Sequence, residues 1–132
     1  MGLAVQQLLA METWAVVGLS NDQSRAAYGV AKFLQDKGKR IIPVHPNAPV
    51  VHGEQGYATL AEIPFEVDVV DCFIRSELVA PVVDQAISKG AHGVWMQLGV
   101  VDHQAARRAH DAGLVVVMDR CPKIEWAGFG PH

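Results

Sequence analysis

The chain is poor in the residues that mark the more specialised protein classes. It has two cysteines, Cys72 and Cys121, far apart and in no metal-like spacing, which excludes a disulfide scaffold and a cysteine-rich zinc module. Each lies in or beside an apolar run, where a free thiol acts as a small hydrophobe. Lys37-Gly38-Lys39-Arg40 is the nearest approach to a basic cluster, and the formal charge is −3, so the stripe of cations that tracks nucleic acid is missing. No apolar run is long enough to cross a bilayer. Met1 to Met11 lacks the basic start of a signal peptide. The sequence also holds no HExxH pair, no Gly-x-Ser-x-Gly elbow and no P-loop.

What is present is a core. Half of the 132 residues are apolar, enough for one sizeable domain, 1–132, expected to be cytoplasmic. Short apolar runs alternate with helix-period stretches. The strands are expected at Trp14–Gly18, Arg40–Val44, Val67–Phe73, Gly93–Gln97 and Leu114–Met118. Helices are expected over Ala4–Met11, after an N-cap at Ser24, over Ser76–Lys89, and over His103–Ala112 behind an Asp102 cap. Within Ser76–Lys89, Pro81 is either at the first helical position after a looser turn, the favoured arrangement, or tolerated within the first turn. Between Asn47 and Pro64 only Thr59–Ile63 reads as a helical turn, and Asp119 to His132 reads as a tail packed over an edge. This alternation implies an α/β protein, a three-layer Rossmann-like fold around a five-stranded parallel sheet. The strand order expected is 3-2-1-4-5, with the ligand crevice between strands one and four.

In such a fold the residues that follow each strand carry function. Trp14-Ala15-Val16-Val17-Gly18 runs into Leu19-Ser20-Asn21-Asp22-Gln23-Ser24-Arg25, a strand, a tight loop and a helix start. Unpaired N–H groups and the helix dipole make that junction suited to a phosphate. A nicotinamide cofactor fits poorly. The G-x-G-x-x-G fingerprint is not met, and strand two ends in Val44-His45-Pro46-Asn47, without the acid that binds the ribose of NAD.

Five ordered blocks then carry a resemblance: Ala15–Ser20, Arg40–Pro46, Val67–Phe73, Val94–Gly99 and Val117–Pro122. The chain resembles the small stand-alone CoA-binding proteins, which are similar to the N-terminal domain of the succinyl-CoA synthetase α subunit. The resemblance implies coenzyme A, or an acyl-CoA, as ligand. It places the diphosphate against Gly18, Ser20, Asn21, Gln23, Ser24 and Arg25. It places the adenosine along Val44, His45, Pro46 and Asn47 and against Phe73, Ile74 and Arg75. Met96, Gln97 and Leu98 fall beside the pantetheine path. Two departures from the family's pattern imply weaker binding than in a dedicated CoA enzyme. Asp22 puts a negative charge in the phosphate loop, and Ala48 stands where synthetase relatives carry lysine.

No nucleophile–base pair and no metal site emerge, so the reading is a CoA-binding module rather than an enzyme. Its partner would be the small nucleotide-type ligand, with no nucleic acid and no membrane. Two alternatives stay open: an NAD(P)-binding regulatory or oxidoreductase module, and an interaction scaffold with a vestigial nucleotide site. Trp95, Trp126 and Phe129 could mark an interface with a protein partner or in a homo-oligomer, or be buried in the monomer.

Overall fold

The computed structural model describes residues 2–131; Met1 and His132, the ends of the expected domain, fall outside it. Five strands form one parallel sheet: β1 Thr13–Val17, β2 Arg40–Val44, β3 Val69–Cys72, β4 Gly93–Met96 and β5 Val115–Val117. Five α-helices accompany them: α1 Gly2–Leu9, α2 Ala26–Asp36, α3 Val79–Lys89, α4 His103–Asp111 and α5 Pro122–Phe129. The α/β class and the five parallel strands are as expected. The apolar runs of β1, β3 and β4 are buried on both faces, as strands covered on two sides must be.

The strand order corrects the expectation: it is 2-1-3-4-5, not 3-2-1-4-5. The physical reason lies in β2. Pro43 has no N–H to give to a ladder and is tolerated where its nitrogen faces an open edge. The Pro43 carbonyl points away from β1 and accepts from Tyr57 N–H at 3.0 Å, while His45 N–H returns a bond to Tyr57 O at 3.0 Å. A full strand cannot continue the sheet there, so β3 pairs with the other side of β1. The chain therefore reverses its direction of travel between β1 and β3, and the crevice sits there rather than between strands one and four.

Right-handed crossovers then fix which layer each helix joins. One face holds α2 with α1 and α5, packing Leu8, Leu34, Leu19 and Trp126 onto Trp14, Val16 and Trp95. The opposite face holds α3, α4 and a 3-10 turn at Leu60–Glu62, packing Leu60, Val79, Val83 and Ala109 onto Ala15, Val70 and Val94. The expected tail is α5, docked against α1 and α2 as part of a layer rather than over an edge. Its Trp126 meets Phe33 edge-on at 5.9 Å, and Trp95 stacks near Trp14 at 5.7 Å, so both tryptophans are buried within the chain.

Two helix starts also differ from expectation. Arg25, not Ser24, is the N-cap of α2, because the Ser24 hydroxyl is turned back onto Asp22. Pro81 is the third residue of α3, not the first, after a 3-10 turn at Ser76–Leu78. It is tolerated there because N–H groups in a first helical turn have no intrahelical acceptor. Asp102 caps α4 as expected, accepting from Ala105 N–H at 3.0 Å.

Candidate functional site

A cavity of about 520 Å³ opens at the carboxyl ends of β1, β2 and β3. That size is ordinary for a small-molecule site. Val17 and Gly18 end β1, and Gly18 N–H is fastened to Val44 O at 2.8 Å. Gly18 has φ +97°, and a Cβ there would drive into the Phe73 carbonyl oxygen. Only glycine lets the loop turn this closely over the start of the next segment.

The polar side of the cavity is built by the loop that follows. Ser20, Asp22 and Arg25 line it, with His45 and Pro46 from the end of β2 and Phe73 and Ile74 from the end of β3. The loop is held by its own short bonds. Asp22 N–H donates to Ser20 Oγ at 3.2 Å, and the Asp22 carboxylate accepts from Ser24 N–H at 3.0 Å and Ser24 Oγ at 2.5 Å. The bonds from Ser24, with Arg25 close by, hold the Asp22 carboxyl below its usual range. The N–H groups of Ser20, Asn21 and Gln23 have no partner among the described residues. Of the three residues only Ser20 lines the cavity, so its N–H is the one available there to an anion beside the N-terminus of α2. Asn47 N–H donates to His45 Nδ1 at 3.2 Å, so in the neutral ring Nε2 carries the proton.

Half of the expected residues therefore meet at one place: Gly18, Ser20, Arg25, Val44, His45, Pro46, Phe73 and Ile74 all line the cavity. The others do not. The Asn21 amide reaches away to Val50 O at 2.9 Å and braces the loop against the segment after β2. Gln23, Ser24, Asn47 and Arg75 are on the surface outside the lining. Met96 is sealed in the core, and Leu98 is exposed on the neighbouring lip.

Gln97 is buried, and its Nε2 donates to Asp71 Oδ1 at 2.6 Å. Asp71 Oδ2 has no partner among the described residues, and burial pushes the Asp71 carboxyl up to about 8 against the opposing bond from Gln97. Burial and the Asp71 charge together raise the Cys72 thiol, which is inert in consequence.

Sequence reading missed the far wall. Ala58, Thr59 and Leu60 come from the connection between β2 and β3, Leu78 from the 3-10 turn before α3, and Val82 and Gln85 from α3 itself. Inspection limited to residues just after each strand could not reach them. One signal was available: Val82 extends the apolar face of α3 beyond the stripe of Val79, Val83 and Ala86 that the core uses. Thr59 is steadied by Glu62, whose carboxylate accepts from Thr59 N–H and Oγ1 at 3.0 and 3.1 Å.

No group of three His, Cys, Asp or Glu residues among those described could hold a metal ion, and His103 and His110 are both exposed on α4. None of the described helices is long and apolar enough to cross a membrane.

The chain is similar to proteins of one kind. Residues 12–127 match the family model for a CoA binding domain. An uncharacterised Bacillus subtilis protein, YneT, is 36% identical over 113 residues, covering 86% of this chain and 84% of that one. The α subunit of the ADP-forming acetate–CoA ligase II of Pyrococcus furiosus is 33% identical over 81 residues, covering 61% of this chain but only 18% of the subunit. A hypothetical protein from Pyrococcus horikoshii superposes with a TM-score of 0.92 at 33% identity, over 98% of this chain and 92% of that one. With a loop, a cavity and a sheet reversal at one point, and a family match over nearly all of its length, the chain belongs to the CoA-binding domain family.

Proposed function

We propose that this protein binds coenzyme A or an acyl-CoA in the cavity at the β1/β3 reversal. The diphosphate meets the loop from Gly18 to Arg25, and the adenosine lies between the end of β2 and the turn after β3. One observation carries the reading: a single cavity gathers Gly18, Ser20 and Arg25 from the phosphate loop with His45, Pro46, Phe73 and Ile74 from the two flanking strands. The apolar surfaces of Val44, Leu60, Ile74 and Val82 suit a flat base, and the unpaired Ser20 N–H with Arg25 suits phosphate oxygens. The pantetheine arm leaves past Phe73 and Ile74 toward exposed Leu98. Met96 and Gln97, enclosed in the core, support that lip from beneath.

No reaction is assigned: Ser20, Thr59 and His45 line the cavity, but among the described residues neither hydroxyl is hydrogen-bonded to the His45 ring. The reading is of a carrier, sensor or partner module for acyl-CoA chemistry.

Thermal denaturation with added ligand tests this. A ligand at about a hundred times its Kd stabilises by about 2.7 kcal/mol, a rise of several degrees in Tm for a domain of this size. CoA is expected to produce that rise and NADH none. Arg25→Ala is expected to weaken CoA binding by about 1–3 kcal/mol, the usual worth of a hydrogen bond to a charged group. A shift with NADH alone would return the cavity to a nicotinamide cofactor, and no shift with any nucleotide would leave a vestigial site.

A further inference from the structure

Among the residues that line the cavity, Asp22 is the one carboxylate and Arg25 the one fixed cation, His45 being the third titratable group. Fixed charge at the mouth therefore cancels, where an anion site ordinarily carries a surplus of positive charge. Asp22 does more than sit nearby. Its carboxylate already takes Ser24 N–H and Ser24 Oγ, so neither donor is left for an anion beside α2. Those same bonds, with the nearby guanidinium, keep it ionised well below neutral pH.

Phosphates differ in how much charge they bring. A terminal phosphate monoester carries about −1.5 to −2 at pH 7, because its second pKa is about 6. A phosphate esterified on both sides has no second proton to lose and stays near −1. A nearby like charge penalises the first up to about twice as much as the second.

We propose that Asp22 is a specificity-determining residue, a charge filter that admits diphosphates esterified at both ends and disfavours ligands ending in a free phosphate at the loop. The inference rests on the proposed placing of the diphosphate at Gly18–Arg25. Within that placing it turns the unexpected acid from a defect into a selector. A free nucleoside diphosphate shares the adenosine and the two phosphates of a CoA-type ligand, and differs at this position only in its terminal charge. Asp22 is the group that reads that difference.

The test is a comparison of two ligands on two proteins by isothermal titration at low salt. Dephospho-CoA and ADP share the adenosine diphosphate core, and only ADP ends in a monoester. Asp22→Asn keeps an oxygen to accept from Ser24, so the turn is retained while the charge is removed; unliganded melting curves verify the fold. The wild type is expected to prefer dephospho-CoA. Asp22→Asn is expected to narrow the ratio of the two Kd values about fivefold through a gain for ADP, and 0.5 M salt is expected to erase most of that gain.

An unchanged ratio, or equal gains for both ligands, overturns the filter while leaving CoA binding intact. Failure of the wild type and the variant to bind either ligand or CoA overturns both readings.

Discussion

At the scale of single residues, the site depends on a few positions where no other side chain would serve. Gly18 is one, since its φ and the Phe73 carbonyl oxygen leave no room for a Cβ. Asp71 is different: it lies outside the cavity lining, and its effect is on stability. The carboxyl is fully buried with one oxygen unpaired, and burial raises it from 3.8 to about 8. The folded chain therefore holds a proton that the unfolded chain has released across that interval. By linkage, stability falls as pH rises from about 4 to about 8 and levels off above it. Asp71→Asn keeps the acceptor for Gln97 and removes the titration. Its Tm is expected to exceed that of the wild type at pH 8.5, with the gap shrinking steadily toward pH 4 in parallel melting curves. A gap that does not change with pH would show that Asp71 is charged in the folded state.

Residue types at the phosphate loop were readable in advance, because Gly18, Ser20 and Arg25 follow an apolar strand and precede a helix. The directions of their neighbours were not. Asn21 reads equally well as a phosphate donor, yet its amide is taken by Val50 O at 2.9 Å. Ser24 reads as an N-cap, yet its hydroxyl is taken by Asp22. In each case a competing acceptor, visible only once the loop is folded, claims the donor.

At the scale of elements, α5 decides how the α1/α2 face is closed. Pro122 near its start and the buried Trp126 hold it in the layer. Trp126 packs on Phe33, and the ammonium groups of Lys37 and Lys39 lie 5.8 and 5.5 Å from its ring. Burial lowers the pKa of Lys39, with the charges of Glu12 and Asp68 opposing that shift. Trp126→Ala is expected to cost about 3–5 kcal/mol, the usual range for deleting a buried aromatic, read from the midpoint of urea unfolding. A loss below about 1 kcal/mol would make α5 a dispensable appendage. The helix escaped sequence reading because glycines at 128 and 130 and prolines at 122 and 131 resemble loop punctuation. Packing against α1 and α2 overrides that weak local preference. The wall made by Ala58–Leu60 was hidden for a related reason: a single 3-10 turn gives no periodicity to detect.

At the scale of the whole molecule, β1, β3 and β4 are paired on both sides, while β2 and β5 are edges. The amides of β1, β3 and β4 are expected to exchange hydrogen most slowly, near the limit set by global unfolding, and those of β5 sooner. Saturating CoA is expected to slow exchange most at residues 18–25, 45 and 58–60, the loop segments at the cavity. Protection appearing instead along α4 would move the site to another face of the sheet.

The sequence by itself determined the class of fold, the number of strands and the place of the phosphate loop. Those follow from hydrophobic period and from local turn chemistry, which act over a few neighbouring residues. The order of the strands was a tertiary decision. Strand pairing compares alternatives of equal local character, and only the outward-facing nitrogen of Pro43 and the docking of Tyr57 separate them. The far wall of the cavity and the place of Asp22 at its mouth are of the same kind. They depend on which surfaces meet after the chain reverses between β1 and β3, and no window of sequence contains both sides of that meeting.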